Sequence, residues 1–355
     1  MPARGRDGKQ GSNAAGGGGT TGEERMNITI LGGGGFLGRR VATRLAQTGT
    51  LGRGSVTGLT LFDLHQPAPL DAPFPVATLA GDIVSLPDAA IPAGTDVVFH
   101  LAAVVSAQAE ADYELGRRVN VRGTDAVVDA CRRLVDAGGK PPRVIFTSSV
   151  ASFSGGQSAN LGDDARQVPA NSYGAQKAAA ELILADATRR GFMDAVSIRL
   201  PTVIVRPGRP NKAASSFFSA IVREPLLDLE TELPVPDDFA AWVCSPRSAT
   251  AWLLHAAAMD TVSLGLDRGI NPPGISVTIA DLLRGLEQVK QGAASLVKRV
   301  PDPAIAAIVG TWPPLFTPSR SPALGFAPHE SVVDLIRAFI EDDLAATRAD
   351  RGIGI

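Results

Sequence analysis

The chain has 355 residues, 45% hydrophobic and 20% charged, enough to bury one large core or two smaller ones and too apolar for a polypeptide disordered throughout. Its 34 Lys and Arg against 36 Asp and Glu leave a formal charge of -2 and no basic stripe, which argues against nucleic acid as a partner. Cys131 and Cys244 stand far apart and without metal-ligand spacing, so neither a disulfide scaffold nor a metal site is expected, and a reducing cytoplasm fits best.

Residues 1–25 are rich in Gly, Ser and charge and contain no apolar run. They read as a disordered tail, neither a secretory signal nor a membrane span. The cluster Gly16–Gly19 has no strand before it and is assigned no ligand. From Met26 the pattern changes to MNITILGGGGFLG. A short apolar run (Ile28, Ile30, Leu31), four glycines and an amphipathic segment from Phe36 to Ala46 predict strand, tight turn and helix. Such a turn is a phosphate cradle: glycine admits positive φ and close approach, and the following helix offers unpaired N–H groups and the positive end of its dipole. Two registers fit a dinucleotide fingerprint, Gly33, Gly35 and Gly38 or Gly32, Gly35 and Gly38.

The next strand, Gly58 to Asp63, ends in an acid 25 residues beyond Gly38, with the polar stretch Thr48 to Gly58 read as a loop. Asp63 is the candidate for the adenosine ribose; a carboxylate there accepts from the 2′ and 3′ hydroxyls and repels a 2′-phosphate, favouring NAD over NADP. Arg39 and Arg40 fall inside the first helix and read as solvated surface. A third strand, Val76 to Ala80, leads to Gly81, Asp82 and Ile83; a fourth, Asp96 to His100, ends in Leu101, Ala102 and Ala103, small enough at the two alanines for a flat cofactor to lie on the backbone. His100, alone at the end of an apolar strand, reads as a packed core residue. A helix from Val119 to Ala137 and a fifth strand, Arg143 to Ser148, follow. Repeated strand and helix of this length specify an α/β fold, a Rossmann-like doubly wound parallel sheet that binds ligands outside the carboxyl ends of its strands.

Ser149 closes the fifth strand, and Tyr173 and Lys177 lie four residues apart on one face of a predicted helix, Tyr173 to Arg190. A tyrosine of pKa about 10 is a poor base at neutral pH, and a nearby ammonium would stabilise the phenolate and lower that value. Ser149 could bond the same substrate oxygen. Further helices are expected at Ser248–Met259, Ile279–Val289, Pro301–Val309 and Ser331–Leu344, with loops around Asn271 and Trp312.

LGGGGFLG, Asp63, GDI, HLAA, the NVRGT segment at Asn120, TSS, and Tyr173 with Lys177 together resemble the extended short-chain dehydrogenase/reductases, the group containing sugar-nucleotide epimerases and dehydratases. The resemblance covers Met26 to about Asp343. It implies an NAD-binding domain (26–200 with 240–260) and a smaller α/β carboxyl-terminal substrate lobe (201–239 with 261–345). It further implies Tyr173 as acid/base, Lys177 on the nicotinamide ribose and Ser149 orienting the reacting oxygen. Cofactor contacts are implied at Gly32, Gly35, Phe36, Leu37, Gly38, Asp63, Asp82, Ile83, Leu101, Ala102, Ala103, Tyr173, Lys177 and Pro201. The long helices Val119–Ala137 and Tyr173–Arg190 pair across a homodimer in this family.

A narrower likeness, in HLAAVVSAQAEADYELGRRVNV, IRLPTVIVRPGRPNKAASSFFSAIVREPL and INPPGISVT, is to family members that oxidise the C2 hydroxyl of a four-carbon sugar acid to the 2-oxo acid. DDFAAWVCSPRSA, from Asp237, lacks the pattern that helps sugar-nucleotide enzymes hold a diphosphate, so a small acid is the expected substrate. Candidate donors to it are Ser106, Arg206 and Asn211 first, then Lys212, Ser215, Arg223 and Arg247; Arg can meet a carboxylate with two parallel N–H bonds. Trp242 and Phe217 are candidate pocket walls, with core packing the plainer reading. A sugar-nucleotide epimerase/dehydratase and a non-catalytic NAD-binding protein are the alternatives; the second commonly loses the tyrosine or lysine that this chain keeps.

Overall fold

Ile28, Ile30 and Leu31 are at most 2% exposed because the strand that carries them, Arg25–Leu31, runs through the middle of an eight-stranded sheet. The computed structural model describes residues 24–156, 160–209, 215–328 and 331–353. The expected tail therefore lies almost wholly outside the described residues, as do Asn211 and Lys212.

The strand order is Gly269–Ile270, Asp194–Leu200, Arg143–Ser149, Val97–His100, Arg25–Leu31 and Gly54–Asp63, the last pairing with both Val76–Ala80 and Thr50–Leu51. All pairs are parallel except Thr50–Leu51 with Gly54–Asp63. The order reverses between Arg25–Leu31 and Val97–His100, which opens a crevice outside their carboxyl ends. Strands buried on both faces need continuous apolar runs, and Val97–His100 is buried at all four positions. One face packs against the helices Phe36–Thr48 and Pro246–Ala258, the other against Gly123–Asp136 and Ser172–Arg189.

A third apolar cluster lies away from this sheet, around a three-stranded sheet of Ile275–Thr278, Ala240–Cys244 and Thr202–Val203 and the helices Ser216–Leu226, Ile279–Val289 and Val332–Phe339. The helix Ile279–Val289 starts where expected because Thr278 and Asp281 form a reciprocal capping box. Ser245 and Pro246 likewise start Pro246–Ala258, two residues before the expected Ser248. Ala240–Cys244, assigned with the NAD-binding stretch, runs in the small sheet, while Gly269–Ile270, assigned with the substrate stretch, extends the large one.

The expected loop Thr48–Gly58 is a hairpin that starts the next strand at Gly54. The helix expected from Val119 continues an earlier one, Tyr113–Arg117, through a π-helical turn at Arg118–Arg122. Neither Arg39 nor Arg40 is simply solvated: Arg39 donates to the carbonyls of Ala68 and Pro69 at 2.7 Å each, and Arg40 pairs with Asp342 and Asp343 near the carboxyl end. Among the described residues no helix is long and apolar enough to cross a membrane.

Candidate active site

At the glycine turn the positive φ falls on Gly32, at 89°. A Cβ there would stand 2.7 Å from the backbone nitrogen of Ala102, so the turn and the Leu101–Ala103 segment meet backbone to backbone at the crevice. Gly35 N donates to Gly32 O at 3.1 Å, and a Cβ on Gly38 would stand 2.0 Å from that oxygen. The first helix can therefore start against the turn only with glycine at 38. Gly33 is confined by Leu61 and takes no positive φ, so the geometry favours the register Gly32, Gly35, Gly38. Phe36 and Leu37 open the helix, and no side chain caps its start, leaving first-turn N–H groups for an anion.

Asp63 reaches the same turn, accepting from Gly34 N at 2.9 Å and Leu64 N at 2.7 Å. A glycine cradle that side chains would fill, an uncapped helix start and a carboxylate at its rim fit a dinucleotide. Asp82 caps the turn after it through Val84 N and pairs with Arg118 at 2.7 Å; Ile83 is buried against Gly123.

The tyrosine helix, Ser172–Arg189, begins at Asn171, whose side chain accepts from Gly174 N at 2.7 Å. A Cβ on Gly174 would stand 2.2 Å from Ala151 O, so glycine lets this helix press onto the segment that follows Ser149. Lys177 is 1% exposed, donates to Thr147 O at 2.7 Å, and lies 4.5 Å from the Phe146 ring centroid and 5.6 Å from that of Tyr173. Burial lowers its ammonium to about 7 against the opposing pull of the Glu181 carboxylate.

Burial pushes the Tyr173 phenol up to about 12, opposed by the Arg206 guanidinium and a hydrogen bond with Ser149. Beside the Lys177 ammonium expected from the sequence, the Arg206 guanidinium is thus a second cation acting on the phenol, and burial pulls both cations below their ordinary values. Arg206 is held by its Nε on Val203 O (3.1 Å), and its backbone N–H donates to Ser219 Oγ (3.0 Å).

Ser106, Ser149, Tyr173, Pro201, Thr202, Arg206, Ser215 and Trp312 are among the residues lining a cavity of about 80 Å³. A larger cavity of about 510 Å³ lies beyond Arg206 and Ser215, between Phe36 and the carboxyl-terminal helix Ala345–Asp350. Four of the other described candidates fall outside the smaller cavity, among them Trp242, which stacks on Phe316. Arg247 is held on the surface by Glu341 and Asp342, Arg223 is buried against Glu224 and Arg206 O, and Phe217 stacks on Phe218 in the small-lobe core. Thr202 and Trp312 are lining residues that sequence reasoning missed, because each sits in a stretch without periodicity whose place only the fold sets.

His100 is 1% exposed and packs on Phe146 at 5.2 Å between ring centroids. Thr124 Oγ1 donates to Asn120 O, so it accepts from His100 Nε2, 3.0 Å away. Burial, aided by Lys177, lowers the imidazole to about 3 from 6.5. The unfolded chain thus takes up a proton below pH 6.5 that the folded chain refuses. The stabilisation is complete above pH 6.5 and is lost toward pH 3, at up to about 1.4 kcal/mol per pH unit. His100→Gln should lower the urea midpoint at pH 7 but flatten its decline between pH 6.5 and 4. An equally steep decline in the variant would remove His100 as the cause.

Residues 28–241 match the model of the NAD dependent epimerase/dehydratase family. The chain belongs to that family. It is 44% identical to the D-erythronate dehydrogenase of Cupriavidus necator over 89% of this chain and 98% of that protein. It is 38% identical to the D-erythronate dehydrogenase of Haemophilus influenzae over 90% of this chain and all of that one. A crystal structure described as the nucleoside-diphosphate-sugar epimerase from Agrobacterium tumefaciens superposes with a TM-score of 0.87 at 39% identity, covering 96% of this chain and 99% of that one. The chain is an NAD-dependent oxidoreductase of the short-chain dehydrogenase/reductase type, and its cofactor is NAD.

Proposed function

We propose that this oxidoreductase converts the C2 hydroxyl of a short sugar acid of the D-erythronate kind to the 2-oxo acid, with Tyr173 as acid/base. The observation that carries this reading is the convergence of the Tyr173 phenol, the Ser149 hydroxyl and the Arg206 guanidinium on one cavity of about 80 Å³. That space is far below the roughly 300–1,000 Å³ of a site for a larger ligand. Two relatives covered over nearly their whole length bear the name D-erythronate dehydrogenase.

In this mechanism Tyr173, as phenolate, takes the C2 hydroxyl proton; Ser149 holds the same oxygen, and Arg206 both favours the phenolate and meets the carboxylate. NAD, when bound, supplies the hydride acceptor. Gly32, Gly35, Phe36, Leu37 and Gly38 would hold its diphosphate, Asp63 its adenosine ribose and Lys177 its nicotinamide ribose; Leu101, Ala102, Ala103 and Pro201 would line its path. Asp63→Asn keeps an acceptor for Gly34 but removes the charge. It should weaken NAD binding and narrow the preference over NADP by about tenfold, the difference between a charged and a neutral hydrogen bond. Unchanged dissociation constants for both nucleotides would take Asp63 out of the ribose site.

Leu182 is 72% exposed on the tyrosine helix, which supports a homodimer through that face, and two free buried cysteines accord with the cytoplasm. NADH formation followed by absorbance, with four- to six-carbon aldonates and UDP-sugars side by side, tests the activity. NADH from D-erythronate or L-threonate is the expected result. The second reading, a sugar-nucleotide epimerase, is favoured by the description of the structure from Agrobacterium tumefaciens. Interconversion of a UDP-sugar without net NADH, and silence with every acid, would replace the first reading by the second.

A further inference from the structure

Behind the cavity that holds Tyr173 lies a second, apolar space of about 10 Å³, close to the least that holds one water, walled by Phe218, Phe239, Trp242, Val309 and Pro313. The two spaces share three residues, Val150, Thr202 and Trp312. Of these only Trp312 has a side chain large enough to divide a continuous pocket into two.

Its position is held from both sides. Trp312 N donates to Val309 O at 3.1 Å, at the end of the helix Pro303–Val309. Two residues beyond it, Pro314 O accepts from Ser276 Oγ, and Leu315–Phe316 pairs with Asn160–Leu161 while Phe316 stacks on Trp242 at 4.1 Å. The backbone on either side of the indole is therefore anchored. At a separate border of the reacting cavity the residues shared with the larger cavity are Arg206 and Ser215. An acid whose carboxylate meets Arg206 and whose C2 oxygen meets Tyr173 has its remaining carbons toward Trp312.

We propose that Trp312 sets the length of the acid this site accepts, closing the pocket after about four carbons, with an apolar extension sealed behind it. The proposal rests on the reading of the Tyr173 cavity as a sugar-acid site. Because the sealed space is lined mainly by aromatic, aliphatic and proline side chains, with Thr202 at its border with the reacting cavity, the acids that report on it are those with an apolar tail.

The test uses the NAD-loaded full chain and straight-chain 2-hydroxy acids of four, six and eight carbons, with D-erythronate as reference. Binding is measured by calorimetry and turnover by NADH formation, for the unaltered protein, Trp312→Ala and Trp312→Phe, each checked for an intact fold by circular dichroism. The unaltered protein should bind the four-carbon acid more tightly than the six-carbon one. Trp312→Ala should move that affinity ratio toward the longer acid by roughly 10- to 200-fold, the range that one or more methylenes command in an apolar pocket, with Trp312→Phe between.

A ratio that stays put in both variants overturns the proposal. So does binding of the six- and eight-carbon acids to the unaltered protein as tightly as the four-carbon acid, which would mean that the tail runs past Arg206 into the larger cavity. If the acids bind with the expected ratios but no acid yields NADH, the dehydrogenase reading fails while the length limit stands. If no acid binds any of the three proteins, both fall.

Discussion

Tyr173→Phe is expected to lower kcat for sugar-acid oxidation by roughly 10²- to 10⁴-fold, the usual contribution of general acid/base catalysis, while NAD affinity measured by fluorescence titration stays nearly unchanged. The split follows from placement. The phenol faces the reacting cavity with Ser149 and Arg206, whereas the glycine turn and Asp63 lie at the other strand ends. With burial holding the phenol at about 12, the phenolate fraction grows as pH rises, so the oxidation rate of the unaltered enzyme should climb through the alkaline range. Arg206→Gln removes the cation that opposes burial and should move that climb to higher pH as well as raise KM for the acid. Normal turnover by Tyr173→Phe would end the assignment of this tyrosine as the base.

Glu181→Gln is expected to destabilise the fold by about 3–5 kcal/mol, because it leaves the Arg199 guanidinium buried without a counter-charge. The side chains of Arg199 and Glu181 are 10% and 7% exposed. Arg199 Nη2 donates to Glu181 Oε2 at 2.8 Å and its Nε at 3.0 Å. The other carboxylate oxygen accepts from Ser148 Oγ and from Gln167 Nε2, the latter at 2.9 Å. Space around the pair is tight: a Cβ on Gly269 would stand 2.3 Å from Arg199 Nη2. Urea unfolding of the variant reads the loss. The double replacement Glu181→Leu with Arg199→Met, which removes both charges, should recover most of it. A loss below about 1 kcal/mol in the single variant would show that water reaches the pair. Because Ser148 precedes Ser149 and Glu181 follows Lys177 by one helical turn, Glu181→Gln should also reduce kcat.

The features legible in the sequence are those whose physics is local. Apolar run, glycines and amphipathic segment are adjacent in the chain, so strand, turn and helix at Arg25–Thr48 follow from residues within a few positions of one another. Tyr173 and Lys177 share a face because a helix repeats every 3.6 residues, and His100 reads as core because its strand is apolar throughout. Short pairings leave no such trace. Two-residue strands such as Thr50–Leu51 have no periodicity to detect, so the stretch from Thr48 to Gly58 passes for a loop. Partners 300 residues apart, such as Arg40 with Asp342 and Asp343, are equally silent.

The sequence by itself determined the α/β class, the glycine cradle, the acid at the end of the second long strand and the helical tyrosine–lysine pair, because each rests on spacing along the chain; the family came from the resemblance of those motifs to known members. The tertiary structure alone brought Arg206 to the phenol as a second cation beside Lys177, since it comes from a segment far along the chain from the tyrosine helix. It alone took Arg247 out to the surface and brought Thr202 and Trp312 to the cavity, since charge partners and cavity walls come from segments that meet only when the small lobe folds against the large sheet.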